Sequence, residues 1–126
     1  MFTHIDHVAI SVKDRMKSIA FYEENFGFKQ YFEHDVPGVP ALEKVVYLKL
    51  GNTVLELEHW NTNKVNAGCH FCLISDDFDG DYNRLVEAGI PVISEPHIPS
   101  PRVPEEKGWK RVLFQGPDGE HIEFRG

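Results

Sequence analysis

Four side chains in this sequence are of the kinds that hold a transition metal: His7, Glu56, His70 and Glu123. The two glutamates stand between apolar neighbours, in Leu55-Glu56-Leu57 and Ile122-Glu123-Phe124, each just after a turn and in a stretch that reads as a strand. A carboxylate in such a place is costly unless it is paired or bound to a cation. Each histidine sits in the first strand-like stretch of its half of the chain, beside apolar residues. Two imidazoles and two carboxylates around one centre form a mixed nitrogen and oxygen set suited to Ni, Co, Zn, Mn or Fe, whereas Mg and Ca prefer all-oxygen sites. On an octahedral ion such a set leaves positions open for water or substrate.

The elements that must position these residues occur twice. Ile5 to Val12 reads as a strand with Val8, Ile10 and Val12 on one face and His7, Ala9 and Ser11 on the other. Asp14 is placed to cap a helix that carries Met16, Ile19, Tyr22 and Phe26 at helical spacing and stops at Gly27. Phe28 to His34 is a strand, Asp35 to Ala41 a loop, and Glu43 to Leu50 and Thr53 to Trp60 a hairpin around Gly51-Asn52. After a polar link over Asn61 to Gly68 the order repeats. Cys69 to Ser75 is a strand with His70 in the place of His7, Phe78 to Ala88 a helix stopped by Gly89, and Ile90 to Ser94, Lys110 to Gln115 and Glu120 to Arg125 are strands. Gly116-Pro117-Asp118-Gly119 reads as a type I turn. Self-similarity at about half the chain length means two copies of one βαβββ module, the first over about residues 3–60 and the second over about 68–126.

Position in the repeat selects among the remaining candidates. Glu58 shares strand parity with Glu56 and His59 is its neighbour, but Leu55-Glu56-Leu57 is what matches Ile122-Glu123-Phe124. His121 shares the parity of Glu123 and is placed beside the metal or its pocket; His4, His34 and His97 are expected in solvent. The cysteines of Cys69-His70-Phe71-Cys72 point to opposite faces of a strand and cannot share an ion, so Cys69 is expected as a small core residue and Cys72 on the face of His70. The segment from Glu95 to Gly108 carries Pro96, Pro99, Pro101 and Pro104, and reads as a stiff surface loop bringing His97, Arg102 and Trp109 toward a substrate.

Composition narrows the partners. At 126 residues and 41% hydrophobic content the chain builds one ordinary core or two small halves. A formal charge of -7 argues against nucleic acid, since phosphate-neutralising clusters are missing. No apolar run approaches the ~20 residues needed to span a bilayer, and no cationic leader with an apolar run behind it is seen, so a cytoplasmic soluble protein is expected.

Taken together, Asp6-His7-Val8-Ala9-Ile10, the Ser18-Ile19-Ala20-Phe21-Tyr22 helix ending at Phe26-Gly27-Phe28, the Val54-Leu55-Glu56-Leu57 strand, and Gly116-Pro117-Asp118-Gly119 followed by Ile122-Glu123 resemble the glyoxalase and bleomycin-resistance group, the vicinal-oxygen-chelate superfamily. The resemblance covers essentially the whole chain. It implies an α+β fold of two tandem βαβββ modules whose curved mixed sheet surrounds a cavity, with His7, Glu56, His70 and Glu123 at the metal-ligand positions. A homodimer is implied too, because relatives usually pair module one of one chain with module two of the other. Extradiol dioxygenases and fosfomycin-modifying transferases of the group use three ligands of the His-His-Glu kind, and its bleomycin-type binding members usually lack them. The full set of four is similar to glyoxalase I, and to the epimerase acting on methylmalonyl thioesters, whose members commonly lack the third-position Glu. The resemblance thus implies a lyase or isomerase that moves a proton next to a carbonyl, with Glu123 or Glu56 as the base. A methylmalonyl-CoA-type epimerase or a non-enzymatic drug-binding protein is the alternative. Many glyoxalase I sequences carry an arginine four residues after the first ligand to help hold glutathione; Ser11 stands there, so no particular thiol carrier is implied.

Overall fold

The computed structural model describes residues 1, 3–64, 66 and 69–126. The described chain contains strand β1 (Val8–Val12), helix α1 (Arg15–Phe26), strands β2 (Lys29–His34), β3 (Leu42–Leu50), β4 (Thr53–Trp60) and β5 (His70–Ile74), helix α2 (Phe78–Glu87), and strands β6 (Val92–His97), β7 (Arg111–Gln115) and β8 (His121–Arg125). A short 3-10 turn over Pro104–Glu106 lies between β6 and β7. The strands form two mixed four-stranded sheets, ordered β1-β4-β3-β2 and β5-β8-β7-β6. The chain divides into two compact units, Met1–Asn66 and Ala67–Gly126. Each is one βαβββ module with its helix between the first two strands.

In the first unit, α1 starts where the Asp14 carboxylate accepts the Lys17 N–H at 3.1 Å and ends at Gly27, whose φ of 75° suits a residue without Cβ. Its buried residues Ser18, Ile19 and Tyr22 face the sheet, and the Tyr22 and Phe28 rings meet edge to face at 5.9 Å. Met16 was expected on this face and is instead 67% exposed, because the buried stripe runs through Ser18. On the sheet, Ile10, Val12, Val46, Leu48, Leu55 and Leu57 are buried. Alternation then sends Glu56 and Glu58 to the opposite face from Leu55 and Leu57. The β1 edge is covered by Asn66, whose side-chain amide accepts the Ser11 N–H at 3.0 Å and donates to the Ser11 carbonyl at 2.7 Å. That pairing occupies main-chain groups an edge strand would leave open.

The second unit uses the same rules. Asp77 caps α2 through the Gly80 N–H at 3.2 Å, and the Phe78 ring packs 5.0 Å from Phe124 on β8. Phe78 and Leu85 are buried, whereas Val86 is 44% exposed at the margin of the stripe. The predicted turn closes with the Gly119 N–H donating to the Gly116 carbonyl at 3.2 Å.

Several sequence-based expectations need correction. Strand β1 begins at Val8 rather than Ile5, since pairing with β4 starts at Val8 opposite Leu55. Strand β6 continues through Pro96 to His97 instead of ending at Ser94. Proline is tolerated there because β6 is an edge strand whose register with β7 shifts between Ser94 and His97. Cys69 is exposed, not a core residue, because it precedes β5. The link expected over residues 61–68 lies partly outside the described residues.

Candidate metal centre

The four predicted ligands form two pairs, one in each unit, at equivalent register. In the first unit Ala9 stands opposite Glu56 across the parallel β1 and β4, and in the second Cys72 stands opposite Glu123 across the parallel β5 and β8. Each histidine is two residues before that partner, so it leans from the first strand toward the carboxylate of the last. His7 Nε2 lies 2.9 Å from Glu56 Oε2, and His70 Nε2 lies 3.9 Å from Glu123 Oε2.

Around the first pair, His7 Nδ1 is 2.9 Å from Asp6 Oδ2. With a carboxylate oxygen 2.9 Å from each ring nitrogen, this imidazole satisfies both only when doubly protonated or when a cation replaces the proton on Nε2. The hydrogen bond that His7 donates to Asp6, then the charge of Glu56, accordingly raise the His7 pKa against a lowering by desolvation. Asp6 also fixes the ring as an outer carboxylate fixes a metal-bound histidine. Tyr47, opposite Glu56 on β3, hydrogen-bonds that carboxylate, and its pKa is raised by burial first and by the Glu56 charge second. Glu58 lies on the same face, its carboxyl also raised by burial first and by Glu56 second. His59 faces the helix side instead, with Nδ1 2.8 Å from Arg15 Nη1, so it does not compete with Glu56.

Around the second pair, Glu123 is 7% exposed and its Oε1 takes an ion pair from Arg111 Nε at 3.0 Å. That partner answers part of the cost of burying the carboxylate. His121 stands beside His70 in register, on the Glu123 face. Cys72, though largely exposed as a residue, has its thiol pushed up to about 11 by desolvation first and by Glu123 second. A thiol held that high is a poor nucleophile at neutral pH. The proline-rich segment reaches this face through Arg102, whose charge is felt by both Cys72 and Glu123. Arg102 is itself clamped on the buried Glu106, donating from Nε at 3.1 and 3.0 Å, and Arg125 Nη2 approaches Glu106 at 3.5 Å.

Sequence reading missed Asp6, Tyr47 and Glu106 as contributors. Asp6 and Tyr47 had a usable signal, adjacency to His7 and strand alternation with Glu56; Glu106 lies in an irregular segment with none. His34, expected in solvent, is half-buried and stacks on Tyr47 at 5.7 Å, because it ends a strand paired with β3. His4 and His97 are exposed, and His97 Nδ1 turns to the Glu95 carbonyl at 3.0 Å.

The donor chemistry fits a divalent transition ion, since each unit offers one imidazole nitrogen and one carboxylate side by side. Among the described residues no group of three or more His, Cys, Asp or Glu side chains is close enough to hold an ion by itself.

Residues 4–124 match the model of the Glyoxalase/Bleomycin resistance protein/Dioxygenase superfamily, and the chain belongs to that family. It is 31% identical to an uncharacterized protein, YwbC, of Bacillus subtilis, over 98% of both chains. It is 30% identical to a metallothiol transferase, FosB, of Lysinibacillus sphaericus, over 95% of this chain and 79% of that one. Among solved structures, the glyoxalase family protein from Enterococcus faecalis superimposes with a TM-score of 0.81 at 23% identity, over 99% of this chain and 98% of that one. The tandem-module α+β fold expected from the sequence is therefore the family's own.

Proposed function

We propose that this chain is a metal-dependent lyase or isomerase of the glyoxalase I type, transferring a proton next to the carbonyl of a 2-oxoaldehyde hemithioacetal or a related substrate with vicinal oxygens. The observation that carries this reading is the recurrence of one His–Glu pair at the same strand register in both units. His7, Glu56, His70 and Glu123 would hold the ion, which supplies Lewis acidity to a carbonyl oxygen. Asp6 orients His7, and Arg111 and Tyr47 hold the two carboxylates in place. Glu123 or Glu56 accepts and returns the proton as general base. The protein works as a cytoplasmic homodimer on a small molecule; among the described residues no helix is long and apolar enough to cross a membrane. The test is metal analysis followed by turnover of methylglyoxal with several thiols. Metal-loaded protein that turns over none of them contradicts the reading.

The FosB likeness supports a second reading, metal-assisted transfer of a thiol to a small electrophile. Family transferases of that kind need only the His-His-Glu ligands, so the reaction of metal-loaded wild type separates the two: isomerisation of a 2-oxoaldehyde hemithioacetal supports the first, and thiol addition to a small electrophile without it supports the second.

A further inference from the structure

An aromatic surface continues directly from the His7–Glu56 pair along the same face of the first sheet. Tyr47 is its hinge point: its ring meets His7 edge-on at 6.2 Å and lies 6.2 Å from Tyr31, 6.0 Å from Phe32 and 5.7 Å from His34. A regular strand would turn Tyr31 and Phe32 to opposite faces. Here the pairing of β2 with β3 shifts between Gln30, opposite Leu48, and Phe32, opposite Tyr47, so Tyr31 is the extra residue of a bulge. That bulge lets both rings pack on Tyr47. The outermost rings remain open, Tyr31 at 55% and Phe32 at 54% exposed. Burying such rings in the core would have been cheaper for stability, and a bulge interrupts the ladder besides.

Resting on the metal-dependent reading above, we infer that this platform selects substrates in which the vicinal oxygens are attached to a flat aromatic group, the oxygens meeting the His7–Glu56 side while the ring lies against Tyr31 and Phe32. The chemistry of the patch favours this occupant. It is polar and ion-binding at one end and offers π faces and edges at the other, and offset or edge-to-face ring contact contributes beyond simple area burial. Tyr31 and Phe32 are not among the predicted ligands and pack on Tyr47, so they govern which substrate binds and not whether metal binds.

Calorimetric titration of metal-loaded protein with phenylglyoxylate and with pyruvate, which share their vicinal oxygens and differ in the aromatic group, tests this. Wild type is expected to bind phenylglyoxylate about tenfold tighter. In Tyr31→Ala/Phe32→Ala, and in Tyr31→Leu/Phe32→Leu, which keeps apolar bulk, the ratio should fall toward unity with metal content and pyruvate binding unchanged. Pyruvate bound without aromatic preference overturns the platform while leaving the metal reading intact. Neither ligand bound by metal-loaded wild type overturns the platform, whereas protein that takes up no metal removes the metal-dependent reading on which it rests. A preference that persists in both variants while their mass in solution drops to that of a monomer means the rings face a second copy of the chain, which also overturns it.

Discussion

Arg111 Nε sits 3.0 Å from Glu123 Oε1, whereas the counterpart carboxylate, Glu56, has His7 at 2.9 Å and a hydrogen bond from the Tyr47 phenol. The two glutamates therefore occupy equivalent strand positions with different partners, and they are expected to respond differently to the same substitution. Replacing a general base typically lowers the rate ~10²–10⁴-fold, while replacing a carboxylate that only tunes charge costs less. Glu123→Gln and Glu56→Gln should give one severe and one mild loss of turnover, both still holding metal. Substrate deuterium exchange measured in both variants decides it, and equal exchange next to the carbonyl in the two contradicts carboxylate-mediated proton transfer.

Metal content should follow the pairing. Elemental analysis of protein purified without chelator should find one divalent transition ion for each His7, Glu56, His70 and Glu123 set. His70→Ala/Glu123→Ala should abolish it, since the second unit then contributes no ligand. Undiminished metal in that double variant would remove these residues from the site.

Asp6 is 87% exposed at its side chain and holds His7 Nδ1 at 2.9 Å. Loss of such an outer carboxylate usually lowers metal affinity 10–100-fold. Asp6→Ala should weaken metal binding on that order in a competition titration with a chromogenic chelator, with thermal stability of the metal-free protein nearly unchanged. Unaltered affinity would show that the Asp6 contact does not orient the ligand.

Acid stability should depend on Glu106. The Arg102 guanidinium first, and the Arg102 backbone N–H second, hold its carboxyl at about 2 against an ordinary 4.5. Because the unfolded chain takes up that proton first on acidification, the contribution is full above pH ~4.5 and disappears as the pH falls toward 2. Urea midpoints of wild type and Glu106→Gln should therefore differ at pH 7 and converge in strong acid. A gap of the same size at both ends contradicts the linkage.

Gly116 is required for a steric reason. A Cβ there would overlap the carboxylate of Glu120, which is fully buried and accepts the Asp118 N–H at 3.0 Å. Crowding of this kind typically costs 1–3 kcal/mol. Gly116→Ala should lower Tm by several degrees, and Gly116→Ala/Glu120→Ala should recover part of the loss if the overlap is its cause.

The βαβββ order, the two ends of α1 and the strand carrying Glu56 were legible because they rest on local rules. Asp14 and Gly27 bound α1 through contacts within a turn of their own positions, and Thr53–Trp60 alternates against a single core. The repeat marks His7, Glu56, His70 and Glu123 as a candidate set, since equal strand parity carries over from one module to the next. What surrounds them was decided by contacts distant in sequence. Parallel pairing brings His7 to Glu56, antiparallel pairing brings Tyr47 to Glu56, and the β2 bulge sets Tyr31 and Phe32 on one ring. The extension of β6 through Pro96 depended on its being an edge strand, and the exposure of Cys69 on β5 beginning one residue later. Period and capping are properties of neighbours along the chain, whereas register, bulges and edges exist only once strands have met.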